Sequence, residues 1–231
     1  MTSNSLKYQT GRMHWVILVG AVFVVLLAVL TSTVLIQNED DRSLLESANE
    51  ARVAALASEH APTIGDPDAP VHIVEFLDPA CETCAVFYPL VKGWMQELPG
   101  KIRLTVRHVP FHNGADHAVR VLEAAREQGL YWETLEAMLY SQAKWTRNHT
   151  VLQDQVIPAV AHVGLDLNRI ETDLNNFDIK VRMEQDQKDA VTLKVRATPQ
   201  YFVNGRELVN FGYENLAALV RDELEKAGAA P

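Results

Sequence analysis

Cys81 and Cys84 are the only cysteines in a chain of 231 residues, and they sit where one periodicity gives way to another. Ahead of them, Val71-His72-Ile73-Val74-Glu75-Phe76-Leu77 is apolar except at His72 and Glu75, the pattern of a buried strand. Behind them, Phe87, Leu90, Val91, Trp94, Met95 and Leu98 recur at helical spacing. A thiol at such a junction faces the unpaired N–H groups and the positive dipole end of the helix. Both favour thiolate, the reactive form of cysteine. A second thiol one turn on can close a disulfide with the first, the minimum equipment for reversible dithiol–disulfide chemistry. As a structural staple the pair is poor, because the loop it closes is tiny. As a zinc site it is half-equipped, since four ligands are needed and there is no second CxxC. His108, His112 and His117 are the nearest further donors, but histidines clustered near a loop read as surface or edge residues, and no metal is expected.

From Trp15 to Ile36 no residue is charged. As a helix these 22 positions span roughly 33 Å, enough to cross a bilayer. Lys7 and Arg12 precede the run and Glu39, Asp40 and Asp41 follow it, which puts the N-terminus in the cytoplasm and the rest outside. A cleaved signal peptide has a shorter apolar region and a small-x-small site, whereas this run ends Val34-Leu35-Ile36. The expected division is a cytoplasmic N-terminus at 1–12, a transmembrane anchor at 13–36, a linker or stalk helix at 37–63 and a domain at 64–228. All 30 acidic residues lie beyond the apolar run, and the formal charge is -9. So acidic an outer part argues against nucleic-acid binding.

The remaining segments fall into a readable order. Pro62, Gly65, Pro67 and Pro70 mark a boundary ahead of the first strand. Pro89 lies within the helix after the cysteines, and Pro99-Gly100 ends that helix. Ile102 to Val109 alternates as a second strand. Apolar stripes at Ala118-Val121-Leu122-Ala125, Trp132-Leu135-Met138-Leu139 and Leu152-Val156-Ala159-Val160-Val163 predict helices, with a short one at Leu167-Ile170-Leu174. Segment 178–194 reads as a polar, mostly exposed helix. Gln200-Tyr201-Phe202-Val203, then Asn204-Gly205, then Arg206-Glu207-Leu208-Val209 is a hairpin signal, and Leu216, Leu219, Val220 and Leu224 give a closing helix. The expected fold is α/β and thioredoxin-like: βαβ, a helical subdomain inserted at about 112–190, a β-hairpin and a helix.

From about Ile64 to Ala227 the sequence resembles the DsbA-like thiol:disulfide oxidoreductases of the thioredoxin superfamily. The resemblance rests on Gly65-Asp66-Pro67-Asp68-Ala69-Pro70, the strand with Glu75, the CxxC, the helical insertion, and Ala197-Thr198-Pro199 ahead of the Asn204-Gly205 hairpin. It implies that Cys81 is the exposed cysteine that forms mixed disulfides and Cys84 the partly buried resolving one. It implies that Pro199 is cis and faces the disulfide, with the Thr198 backbone offered to an extended substrate. Glu75, six residues before Cys81, matches a buried acid that relays a proton near Cys84. Glu82 and Thr83, between the cysteines, tune the redox pair: Glu82 puts a negative charge where the strongest oxidases carry a Pro-His dipeptide, so Cys81 is expected to be less acidic than theirs.

The resemblance implies thiol–disulfide exchange in the bacterial cell envelope, and together with the anchor read from the apolar run it gives a catalytic domain in the periplasm, held by a single pass through the inner membrane. Thiol-containing envelope proteins would be its substrates and a DsbB-type or DsbD-type membrane protein its redox partner, with no cofactor. A disulfide reductase or isomerase is the alternative reading, and a copper-binding or copper-tolerance module a more distant one.

Overall fold

The computed structural model of the chain describes residues 5–57 and 59–229. Its first element, α1 (Ser5–Ala57), crosses the boundary between two compact units, Met1–Ala51 and Arg52–Pro231. The anchor expected at 13–36 falls largely on side chains outside the described set. Among the described residues no helix is long and apolar enough to cross a membrane.

The second unit is built on one sheet. β1 (Thr63–Ile64) and β2 (Val71–Leu77) lead to α2 (Glu82–Glu97), which returns the chain to β3 (Ile102–His108), parallel to β2. Parallel neighbours need such a crossover, because a tight turn cannot reverse the direction of the chain twice. The β1–β3 pairing is antiparallel and was not foreshadowed by periodicity, since two residues show none. Gly65 closes β1 with φ +108, and a Cβ there would lie 2.7 Å from the Ile102 carbonyl oxygen, so only glycine passes.

The insertion is helical, as expected. It runs through α3 (Ala115–Arg126), α4 (Tyr131–Tyr140) and α5 (Gln142–Trp145) to a small hairpin, β4 (Thr146–Arg147) and β5 (Thr150–Val151). Then come α6 (Gln153–Val160), α7 (Leu167–Asp173) and α8 (Phe177–Thr192). The chain rejoins the sheet at β6 (Gln200–Val203), turns at Asn204 (φ 47) and Gly205 (φ 79) into β7 (Arg206–Glu207), and ends in α9 (Tyr213–Lys226). Positive φ at both central residues is the type I′ turn that the Asn-Gly pair announces. The sheet order is β1-β3-β2-β6-β7.

Alternation along β2 divides the core. Val71, Ile73 and Leu77 join the larger cluster with Cys84, Tyr88, Val91 and the insertion, while Val74 and Phe76 join a smaller one with Phe202, Ala190 and Leu193. Trp145 is wholly buried, and Trp94 and Trp132 pack partly buried against the larger cluster.

Segment 178–194 is polar and mostly exposed, as expected, but one face of α8 is buried: Ile179, Met183, Asp186, Asp189 and Ala190. The two acids on that face meet Arg107 on β3, which has no exposed surface. Its Nε donates to Asp186 at 2.5 Å, one Nη to Asp189 at 2.6 Å and the other to the Ala55 carbonyl at 2.8 Å. A buried guanidinium is tolerable only when paired and fully hydrogen-bonded, so the two acids follow it inside.

Candidate active site

Residues 78–81 form a turn between β2 and α2. The Cys81 N–H donates to the Asp78 carbonyl at 3.0 Å, with Asp first and Pro79 second, as type I turns favour. The buried Asp78 carboxylate fixes the turn from within, accepting from the Ala80 N–H at 2.8 Å. The Gln142 carboxamide pins it from the insertion, donating to the carbonyls of Pro79 (2.8 Å) and Cys81 (3.0 Å).

Cys81 therefore stands as the N-cap of α2 in extended conformation. Cys81 and Cys84 are both free thiols and both buried, so Cys81 is not the exposed cysteine expected: lying under the Thr198 carbonyl, it is 6% exposed, against 0% for Cys84. Its thiol donates to the Thr198 carbonyl at 3.2 Å, and the Thr198–Pro199 peptide bond is cis. Dithiol and cis-proline loop are thus together, as the resemblance implies.

The two thiols are electrostatically unlike. The Cys81 pKa is pushed down to about 5, first by a hydrogen bond from the Cys84 thiol, then, against burial, by the Cys84 N–H, the Thr198 side chain and the Thr83 N–H. That lies between thioredoxin, near 7, and the strongest oxidant of this kind, near 3.5. Glu82 does not dominate, because its carboxylate is 59% exposed and screened by water. Cys84 is driven well above its ordinary value by burial, then by Cys81 and Glu75.

Glu75 is wholly buried on β2. Its Oε1 accepts from the Tyr201 hydroxyl at 2.9 Å, and Oε2 has no partner among the described residues. Burial, opposed by the Tyr201 bond, raises its pKa to about 8. Tyr201 is its cross-strand neighbour on β6, a pairing set by sheet register.

The histidines are distributed unlike the expectation. His108 is buried, paired with the Tyr131 hydroxyl at 2.8 Å, and is not a surface residue. His112 is held by Asp78, whose Oδ2 accepts from both its backbone N–H (2.8 Å) and its Nδ1–H (2.7 Å). Burial disfavours the His112 imidazolium, yet Asp78, Cys81 and Glu82 hold its pKa above the ordinary value. His108, His112 and His117 do not converge; Glu82, His112 and His149 do. Sequence reasoning missed Gln142, Tyr201 and His149, for which no motif exists. Asp78 left a trace in its Asp-Pro dipeptide.

A family model described as Thioredoxin matches residues 57–222. The chain is 33% identical over 144 residues to the Na(+)/H(+) antiporter NhaA of Herminiimonas arsenicoxydans, covering 62% of this chain and 22% of the antiporter. It thus spans little more than a fifth of that relative's length. The probable disulfide bond formation protein D of Bacillus anthracis is 26% identical over 215 residues, covering 90% of this chain and 95% of that one. A thioredoxin-like oxidoreductase from Silicibacter pomeroyi DSS-3 superposes with a TM-score of 0.63 at 26% identity, over 75% of this chain and 95% of that chain. The family model, which covers well over half of the chain, places it in the thioredoxin family.

Proposed function

We propose that the chain is a protein thiol:disulfide oxidoreductase acting as a net oxidant of other proteins' thiols. The observation that carries this is the split between the two thiols: Cys81 low, at the mouth of α2 against the cis Thr198–Pro199 loop, and Cys84 high and buried. A stabilised Cys81 thiolate favours the reduced enzyme and so makes its disulfide oxidising. A substrate thiolate attacks Cys81 of the Cys81–Cys84 disulfide, and Cys84 leaves as thiolate and takes a proton. A second substrate thiolate attacks the mixed disulfide at the substrate sulfur and expels Cys81. Two electrons pass to the enzyme, and the substrate keeps the new disulfide. The Thr198 carbonyl and its neighbours hold the incoming strand, and Glu75 supplies or removes the proton at Cys84.

Equilibration of the pair with glutathione should give a reduction potential above thioredoxin's value of about -270 mV and below about -120 mV. A value at or below thioredoxin's would replace this reading by the reductase or isomerase one. A dithiol with a low-pKa member fits net oxidation better than the copper-binding reading, in which exchange has no part.

We further propose the expected division of the chain: residues 1–12 cytoplasmic, 13–36 a single-pass inner-membrane anchor, 37–63 a linker and 64–228 the catalytic domain in the periplasm. The uncharged run from Trp15 to Ile36, with basic residues before it and acidic ones after it, supports this. Thiol-bearing envelope proteins are the proposed substrates, and a DsbB-type membrane protein that draws the electrons onward is the proposed partner, a DsbD-type one belonging to the reductase alternative. The full chain should stay with membranes through an alkaline carbonate wash; recovery in the supernatant would remove the anchor.

A further inference from the structure

Three side chains from separate elements meet at the rim of the dithiol. Glu82 opens α2, His112 lies between β3 and α3, and His149 sits at the tip of the β4–β5 hairpin. One ligand atom from each lies within 4.8 Å of the others. The His149 Nδ1 is 3.5 Å from a Glu82 carboxylate oxygen, and the two imidazoles stack with centroids 5.7 Å apart. Two histidines and one carboxylate form a donor set suited to divalent zinc, which leaves one position of a tetrahedron open. Zinc–nitrogen bonds of about 2.0–2.1 Å set neighbouring donors roughly 3.3 Å apart, close to the separation already present between His149 and Glu82.

One further observation points to a ligand. The wholly buried Asp78 carboxylate takes the Nδ1–H of His112 at 2.7 Å, so Nε2 is the ring nitrogen left for a metal. A carboxylate behind a ligating histidine fixes the tautomer and the ring plane, the usual support of a metal-binding imidazole. His149 follows Asn148 in the β4–β5 turn, at φ 58 and φ 49, the left-handed pair that a two-residue type I′ hairpin requires.

We propose that Glu82, His112 and His149 bind one Zn2+ ion at the rim of Cys81. The ion lies beside the sulfur that is negative in the reduced enzyme and neutral in the disulfide. It therefore binds the reduced form more tightly, and by reciprocity holds the pair reduced. Zinc would act as a brake on reoxidation with no redox change of its own. This consequence rests on the proposed thiol exchange; the binding itself does not.

The test is calorimetric titration of the full chain with zinc chloride, using a Cys81→Ser/Cys84→Ser background so that the thiols cannot hold the metal. One Zn2+ per chain is expected, with affinity falling at least tenfold on adding His149→Ala or Glu82→Gln, both at exposed positions. Equal affinity with and without His149 overturns the proposal. So does zinc binding that appears only when the cysteines are present, a result that would leave the oxidoreductase reading intact.

Discussion

Replacing Cys84 with serine is expected to turn catalysis into accumulation of a mixed disulfide at Cys81. With Cys84 gone, the enzyme cannot form the Cys81–Cys84 disulfide that takes up two electrons, and a mixed disulfide at Cys81 can be opened only by a thiol of the substrate or of the solution, no longer from within the enzyme. An intramolecular partner acts at a very high effective concentration, so turnover should fall on the order of 10³-fold or more. The adduct is read by mass spectrometry after incubation with a cysteine-bearing peptide disulfide. Cys81→Ser should give neither turnover nor adduct, because Cys84 has no exposed surface. Serine retains a hydroxyl that can donate to the Cys81 sulfur, whereas Cys84→Ala removes the interaction that contributes most to its acidity. The thiolate absorbance of Cys81 should therefore titrate near 5 in the parent and distinctly higher in Cys84→Ala. An adduct on Cys84, or full turnover by Cys84→Ser, would reverse the proposed roles.

Glu75→Gln should change how stability depends on pH. The folded carboxyl has its pKa raised from 4.5 to about 8 by burial. The folded state therefore keeps a proton that the unfolded state releases between those values. The stability associated with that proton is fully present below 4.5 and is lost as pH rises through 8. At pH 7 the loss amounts to about 3 kcal/mol. Glutamine cannot ionise in either state, so the variant lacks this slope. Its stability relative to the parent should rise by about 3 kcal/mol between pH 4 and pH 7, measured by urea unfolding of the reduced proteins. Parallel profiles would mean that the carboxyl is not protonated at neutrality. In the same variant, slower reoxidation that no longer responds to pH between 6 and 9 would identify Glu75 as the group that moves the Cys84 proton; an unchanged pH–rate profile would remove it from that step.

Much of the fold was legible because its signals are local. A buried parallel strand is continuously apolar, a core-facing helix repeats near every 3.6 residues, and Asn-Gly demands the left-handed backbone seen at 204 and 205. α8 is polar and mostly exposed, as expected, but the burial of Asp186 and Asp189 on its inner face was not legible, because acids look solvated in sequence. Nothing local says that Arg107, far away in the chain, needs both Asp186 and Asp189.

The same division runs through the site. The candidate residues were legible along the chain: two sulfurs one helical turn apart at a helix mouth, an acid six residues upstream, and a Thr-Pro step entering a hairpin. Those are properties of neighbours along the chain, where backbone geometry leaves little choice. The surroundings of those residues emerge only in the folded chain. Sheet register set Tyr201 on Glu75, the insertion brought Gln142 to the Cys81 turn, and a hairpin tip carried His149 to Glu82 and His112. Each of these joins residues distant in sequence, and such meetings follow from how faces pack, which no short-range pattern encodes.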